Sequence, residues 1–99
     1  MYDAFEWDAG RSRANAAVHG IDLESAATIF DGPVLARPDE RAAYGERRFI
    51  GVGASQGVEL TIVFTVRSPR LCRIVSARRA HGREREAYHQ AVAHSAARG

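Results

Sequence analysis

The residues best suited to chemistry are arginines, which concentrate between positions 67 and 85. Seven arginines fall in this segment, and Glu84 is the one acidic residue among them. A guanidinium group is planar and presents N–H donors that bind the oxygens of a phosphate in pairs. The segment therefore predicts binding to a phosphate-bearing partner. A solvated arginine-rich surface is the alternative interpretation.

Acid–base chemistry has three candidate residues. Glu84 and Tyr88 are four residues apart, so they share one face of a predicted helix. A carboxylate can accept a proton, and a phenol beside arginines can hold a phosphate or relay a proton. The alternative is that Tyr88 is a half-buried packing residue and that Glu84 is the partner of an arginine on the sheet. His19 ends another predicted helix, where it either caps the helix or exchanges protons.

Metal and cofactor sites have no support in the sequence. His89 and His94 are five residues apart, which is a poor spacing for chelation. The zinc motif HExxH and the glycine-rich nucleotide-binding motifs do not occur in the sequence. We therefore expect no metal and no cofactor.

Length and cysteine content predict a small domain from a reducing compartment. Ninety-nine residues predict one domain over 1–99. Cys72 is the one cysteine, so no internal disulfide forms, and its apolar neighbours predict burial. No apolar run is long enough to cross a membrane, and the acidic, aromatic N-terminus does not resemble a secretory signal. We expect a cytoplasmic protein with no membrane partner.

Charge is distributed unevenly along the chain. Residues 1–40 carry a balance of −5, residues 41–66 of +1 and residues 67–99 of +6, which give the formal net charge of +2. All 14 Lys and Arg residues are arginine, a bias to which genome base composition also contributes. The clustering is more informative, because it indicates an anionic partner such as a nucleic acid.

The hydrophobic period changes along the chain in a way that predicts an α+β fold. Asp8 and Asp22 are N-cap candidates for two helices, which end at Gly20 and at the turn beginning with Asp31. The following segments have the period of strands, and the C-terminal segment is helical by composition. The predicted order is β-α-α-β-β-β-β-α, with the strands in one antiparallel sheet. The predicted strands cover residues 2–7, 34–37, 48–54, 59–67 and 71–79. The predicted helices cover residues 9–19, 23–30 and 82–98.

Several arginines fall at the ends of these predicted strands. Arg67 ends one strand, Arg78 and Arg79 end the next, and Arg48 begins the strand before them. Antiparallel pairing places Arg48 near Arg67, whereas Arg67 and Arg78 are not automatically adjacent. One site containing both would require the last helix and a neighbouring strand to fold over the same surface.

The stretch FEWDAGRSRANAAVHGIDLESAATIFDGP resembles the signature of the BrnT family of toxins. That signature begins with a Phe-Glu-Trp-Asp start, an Asn-x-x-Lys-His-Gly segment and a Phe-Asp-Asp-Pro-like turn. It continues with a Gly-rich hairpin, a Thr-x-Arg strand end, an Ile-Ser-Ala-Arg strand and a Glu-Arg-x-x-Tyr helix. One departure is Val18, which stands where the family commonly has a lysine. The matching residues are Phe5, Glu6, Trp7, Asp8, Asn15, His19, Gly20, Phe30, Asp31, Pro33, Thr65, Arg67, Ile74, Ser76, Ala77, Arg78, Glu84, Arg85 and Tyr88.

The resemblance implies a RelE-like ribonuclease fold and an endoribonuclease that arrests translation. It also implies an antitoxin partner similar to BrnA, a ribbon-helix-helix DNA-binding protein, so that contact with DNA is indirect. A homodimer or a toxin–antitoxin heterotetramer is a further expectation. The alternative is a non-catalytic basic module that binds nucleic acid or an acidic protein.

Under this hypothesis the 2′-hydroxyl of RNA attacks the neighbouring phosphate without a metal. Arg67 and Arg78 would stabilise the charge that develops on the phosphate, as preorganised donors do in other enzymes. The acid–base candidates are Glu84, Tyr88 and His19. The expected RNA-binding cations are Arg48, Arg73 and Arg79.

Overall fold

The helices and strands follow the predicted order along the chain. A computed structural model describes residues 2–41 and 45–98. Within these ranges the order β-α-α-β-β-β-β-α is confirmed, and a 3₁₀ turn at Thr28–Asp31 extends the second helix. The elements are β1 (Ala4–Glu6), α1 (Ala9–His19), α2 (Leu23–Ala27), β2 (Leu35–Pro38), β3 (Arg48–Ser55), β4 (Val58–Ser68), β5 (Leu71–Arg79) and α3 (Gly82–Arg98).

Side-chain caps set where the first two helices begin, and a glycine sets where α1 ends. The carboxylate of Asp8 accepts a hydrogen bond from Arg11 N at 2.8 Å, and α1 ends at Gly20, whose φ is 72°. Asp22 caps α2 in the same way, by accepting a bond from Ser25 N at 2.6 Å. These carboxylates satisfy N–H groups that the first turn of a helix leaves without a partner. Both caps agree with the prediction.

The sheet is mixed rather than wholly antiparallel. Its strand order is β1-β5-β4-β3-β2, and the four strands β2 to β5 pair antiparallel. β1 pairs parallel to β5, so the prediction of an antiparallel sheet is wrong at this edge. The two strands are not consecutive in the chain. Alternation of apolar residues therefore carried no information about the direction of their pairing.

The two faces of the sheet are covered differently. On one face Leu60, Ile62 and Phe64 of β4 join the main core, which includes residues of α2 and the 3₁₀ turn. The other face, which we call the open face, carries Thr61, Val63, Thr65 and Arg67 of β4, because side chains alternate along a strand. α3 packs at one end of the open face. None of the described helices has the length and apolar composition needed to cross a membrane.

A side chain of α1 completes the edge of β5. β1 pairs only with the first three residues of β5. Beyond them, the amide of Asn15 donates to Ala77 O at 2.8 Å and accepts from Ala77 N at 3.1 Å, which replaces the missing strand. Asn15 also donates to Ile21 O at 2.8 Å. These bonds hold the C-terminal end of α1, and with it His19, against β5.

Candidate active site

The polar side chains of a cleft on the open face come from four parts of the chain. His19 comes from the end of α1, Arg41 from the segment after β2, Thr61 from β4, and Ser76 and Arg78 from β5. The cleft has a volume of about 140 Å³. It is smaller than the pockets that hold drug-sized ligands, so it suits a small group such as a phosphate. The remaining lining residues are Ile50, Val63 and Ala77.

Arg78 is fixed by a two-point ion pair with Glu84. Nη1 and Nη2 of Arg78 donate to the two carboxylate oxygens of Glu84, and both distances are 2.8 Å. This is the short, forked geometry of a strong arginine–carboxylate pair. The side chain of Arg78 is 43% exposed, whereas that of Glu84 is 16% exposed. The pair therefore orients the guanidinium group and leaves part of it accessible.

Glu84 is surrounded by hydrogen-bond donors. Besides Arg78, Oε1 of Glu84 accepts bonds from Thr61 Oγ1 at 2.8 Å and from His81 N at 3.0 Å. Glu84 N donates to His81 Nδ1 at 3.4 Å, so the two residues form a capping box at the start of α3. The hydrogen bonds from Arg78 are the main cause that lowers the pKa of Glu84 to about 2.

This environment favours a positioning role for Glu84. A general acid or base works best when its pKa lies near the working pH. The pKa of Glu84 is far below neutral pH, so its carboxylate stays ionised there. Of the two interpretations considered from the sequence, the geometry favours Glu84 as the partner of a sheet arginine.

Arg41 is a second cleft arginine with a carboxylate behind it. Nε and Nη2 of Arg41 donate to the two oxygens of Asp39 at 2.8 and 2.9 Å. The Asp39 side chain is fully buried, and Asp39 N donates to Arg48 O at 2.8 Å. The Arg41 guanidinium is the main cause that lowers the pKa of Asp39 to about 2. Two guanidinium groups, each anchored by its own carboxylate, thus line one cleft and favour an anion there.

Arg67 does not join Arg78 in this cleft. Arg78 pairs with Thr61 in the register, and Arg67 lies six residues farther along β4. That separation is about 20 Å at the usual rise of a strand. Arg67 instead contacts Glu6 at 3.2 Å and Glu46 at 3.4 Å. The expectation of one shared pocket is corrected, because the antiparallel register places the two arginines at opposite ends of β4.

Tyr88 and Arg79 also lie away from the cleft. Tyr88 is buried, its hydroxyl donates to Pro33 O at 2.9 Å, and its ring packs against Val52. The packing interpretation of this residue is therefore the one that the geometry favours. Arg79 follows Arg78 on β5, so its side chain points to the opposite face of the sheet.

Arg48 and Arg73 lie on the open face beyond the cleft. Each pairs with Thr65 of β4, Arg48 from β3 and Arg73 from β5. Arg67 is two residues farther along β4 than the partner of Arg48, so the two arginines lie toward the same end of the β3–β4 pair, as expected. These three arginines form a second basic region, separate from the cleft.

Three polar residues of the cleft were not predicted from the sequence. Alternation along β4 already places Thr61 opposite the apolar face that contains Leu60 and Ile62, and this could have identified it. Ser76 needs knowledge of an irregularity in the β4–β5 register, which shifts the faces of β5. Arg41 lies in a polar segment between strands, and no pattern indicates that this segment returns to the sheet.

Metal-ligand geometry is a separate question. Across the described ranges 2–41 and 45–98, no group of three His, Cys, Asp or Glu residues is placed to hold a metal ion.

Cys72 is buried, as expected, and burial raises the pKa of its thiol to about 12.

Comparison with known proteins decides the family. A family model described as the ribonuclease toxin, BrnT, of a type II toxin–antitoxin system matches residues 7–84. The chain belongs to the BrnT family. The matched region includes His19, Arg41 and Arg78 of the cleft and ends at Glu84. A ribonuclease toxin of a type II system has RNA as its target and an antitoxin as its partner. We therefore expect this BrnT-family chain to bind RNA and an antitoxin.

The fold of this BrnT-family chain agrees with a solved structure. The 1.1 Å crystal structure of the Brucella abortus ribonuclease toxin, BrnT, gives a TM-score of 0.59 at 21% sequence identity. The match covers 79% of this chain and 96% of that chain. At this identity the likeness establishes the fold alone. A comparison with curated protein sequences gives no significant match.

Proposed function

We propose that this BrnT-family chain is an endoribonuclease that cuts RNA in the cleft without a metal ion. The observation that carries the proposal is the convergence of Arg78, Arg41 and His19 on one cleft. Each arginine has a carboxylate behind it, so its guanidinium group is oriented before RNA arrives. Preorganised donors of this kind are the largest contribution in many enzymes, because they need not reorient as charge develops.

In the proposed reaction the 2′-hydroxyl of a ribose attacks the adjacent phosphorus. The bond from phosphorus to the 5′-oxygen breaks, and the products are a 2′,3′-cyclic phosphate and a free 5′-hydroxyl. Negative charge increases on the non-bridging oxygens in the transition state. Arg78 and Arg41 donate hydrogen bonds to these oxygens, which stabilises the transition state by about 3 kcal/mol for each well-placed donor.

His19 is the proposed acid–base group of the cleft. An imidazole can accept the proton of the 2′-hydroxyl or donate one to the leaving 5′-oxygen near neutral pH. Such a group typically accelerates a reaction by about 10²–10⁴-fold. Ser76 supplies a further hydroxyl donor on the wall of the cleft.

We also propose the cellular setting of this reaction. RNA cleavage in the cytoplasm arrests translation, and a BrnA-like ribbon-helix-helix antitoxin neutralises the toxin. DNA is then contacted through the antitoxin, and the toxin forms a homodimer or a heterotetramer with its antitoxin. The balance of +6 over residues 67–99 supports a nucleic-acid partner for this third of the chain.

The purified protein is expected to cleave end-labelled single-stranded RNA in the presence of EDTA. The His19→Gln variant should cleave about 10²-fold more slowly, because the proton-transfer contribution is lost. Gel separation of the fragments over time measures both rates. An Arg13→Gln variant, altered at an exposed residue of α1, is the matched control and should cleave like the wild type.

Two results would contradict the proposal. Retention of intact RNA on the protein would favour the non-catalytic binding module. Cleavage that requires added Mg²⁺ would contradict the metal-independent step.

A further inference from the structure

We infer that the open face contains a second phosphate-binding subsite, built by Arg73, Thr65 and Arg48, which holds another phosphate of the RNA strand that enters the cleft. The identity of the ligand as RNA rests on the proposed function. The subsite itself rests on the sheet register and on side-chain contacts outside the cleft.

The subsite is a row of side chains that crosses the sheet. In register, Glu6 of β1 lies beside Arg73 of β5, Arg73 beside Thr65 of β4, and Thr65 beside Arg48 of β3. We call these four residues the distal row. Side chains directly opposite one another on neighbouring strands have Cβ atoms about 5 Å apart. Two arginine positions thus flank the position of one threonine.

Thr65 is the unexplained residue of the distal row. Its side chain is 1% exposed, and among residues 2–41 and 45–98 its Oγ1 has no hydrogen-bond partner. A buried hydroxyl without a partner is rare in a native protein, because it loses its bonds to water and gains none in return. A phosphate oxygen between the two arginines would supply the missing acceptor.

The carboxylates near the distal row are weakly held. Glu6 contacts Arg67 at 3.2 Å and Arg73 at 3.4 Å, and Glu46 contacts Arg67 at 3.4 Å. These ion pairs are longer than the 2.8 Å pair that fixes Arg78, and the Glu6 and Glu46 side chains are 37% and 39% exposed. Exposed pairs of this kind contribute little to stability. A phosphate can therefore replace the Glu6 carboxylate at the cost of weak contacts.

The distance between the two sites along β4 favours two different phosphates. Arg78 pairs with Thr61, and Arg73 pairs with Thr65, four residues farther along β4. The separation is about 13 Å at the usual rise of a strand. This separation favours contact of the two arginines with different phosphates, so the subsite is assigned to a neighbouring part of the strand.

A binding measurement with RNA that cannot be cleaved tests the subsite. The probe is a fluorescent single-stranded octanucleotide with 2′-O-methyl groups at every position, which blocks attack by the 2′-hydroxyl. Anisotropy titrations at several salt concentrations give the Kd and its salt dependence. Arg73→Gln is expected to weaken binding about 10-fold and to lower the salt slope by about 0.7, the value for one lost phosphate contact on a single strand.

Two further variants separate this role from a structural one. Thr65→Val keeps the shape of the side chain and removes the hydroxyl. We expect this variant to bind the probe several-fold more weakly, because a charge-assisted hydrogen bond is lost. Glu6→Gln removes the competing carboxylate and should tighten binding. Asp3→Asn, which removes an exposed carboxylate paired with Arg70, is the matched control for Glu6. Arg13→Gln is the matched control for Arg73.

Different outcomes would refute the subsite and the ribonuclease proposal. If Arg73→Gln weakens binding no more than Arg13→Gln does, or if Thr65→Val binds like the wild type while both variants keep the wild-type Tm, the subsite is refuted. If the wild type binds the probe as expected but never cleaves unmodified RNA, the subsite stands and the ribonuclease proposal fails.

Discussion

Replacing Arg78 with alanine is expected to lower kcat for RNA cleavage by about 10²–10³-fold, the usual cost of removing one donor to a developing oxyanion. The loss should abolish growth arrest when the variant is expressed in bacteria without its antitoxin. Antitoxin binding should persist. Arg78→Lys keeps the charge but not the two-point contact with Glu84, so we expect intermediate activity. Single-turnover cleavage rates measure these differences.

Arg67→Ala provides the comparison within the same molecule. It removes one arginine as well, but Arg67 lies six residues along β4 from the strand position that faces Arg78. We expect Arg67→Ala to raise KM for long RNA and to leave kcat within about 10-fold of the wild type, since contacts made equally in ground and transition states affect KM. Wild-type kcat in Arg78→Ala, or equal loss of kcat in both variants, would overturn the assignment of the cleft.

Replacing Glu84 with glutamine is expected to have the largest effect on stability. Hydrogen bonds to the carboxylate, chiefly from Arg78, lower its pKa from 4.5 to about 2. A group with a lowered pKa stabilises the folded protein above its unfolded pKa, and this contribution disappears as the pH falls through the folded value. The shift corresponds to about 3 kcal/mol at neutral pH. For a domain of this size that loss lowers Tm by about 10–20 °C.

The pH dependence distinguishes this effect from a simple loss of packing. The difference in unfolding free energy between the wild type and Glu84→Gln should be constant above pH 5. It should decrease between about pH 4.5 and pH 2, as the wild-type carboxylate becomes protonated. Urea unfolding followed by circular dichroism at several pH values measures it. A difference that does not change across this window would show that Glu84 contributes nothing through its charge.

The local features of the fold were accessible from the sequence. Asp8, Asp22 and Gly20 mark helix ends through hydrogen bonds between residues a few positions apart, so a single sequence contains the necessary information. The strands β3 to β5 follow from alternation and short turns. The parallel pairing of β1 with β5 joins residues 4–6 to residues 71–73, and no local pattern encodes it.

The candidate site was only partly predictable for a similar reason. The arginine cluster identified Arg78, and helical spacing identified Glu84, because both signals are visible within about 20 residues. Arg41 reaches the cleft from a loop, and the β4–β5 register separates Arg67 from Arg78. Predicting those positions requires strand register and loop path, which depend on packing across the whole molecule.

The chemical ends of the RNA fragments test the central claim most directly. The wild-type protein would be incubated in EDTA with an RNA of defined sequence, and the fragments would be examined by mass spectrometry. Attack by the 2′-hydroxyl in a cleft lined by arginines predicts 2′,3′-cyclic phosphate and 5′-hydroxyl ends, and a 2′-deoxy substitution at the cut site should prevent cleavage there. Fragments with 5′-phosphate ends, or continued cleavage at the 2′-deoxy position, would contradict the account.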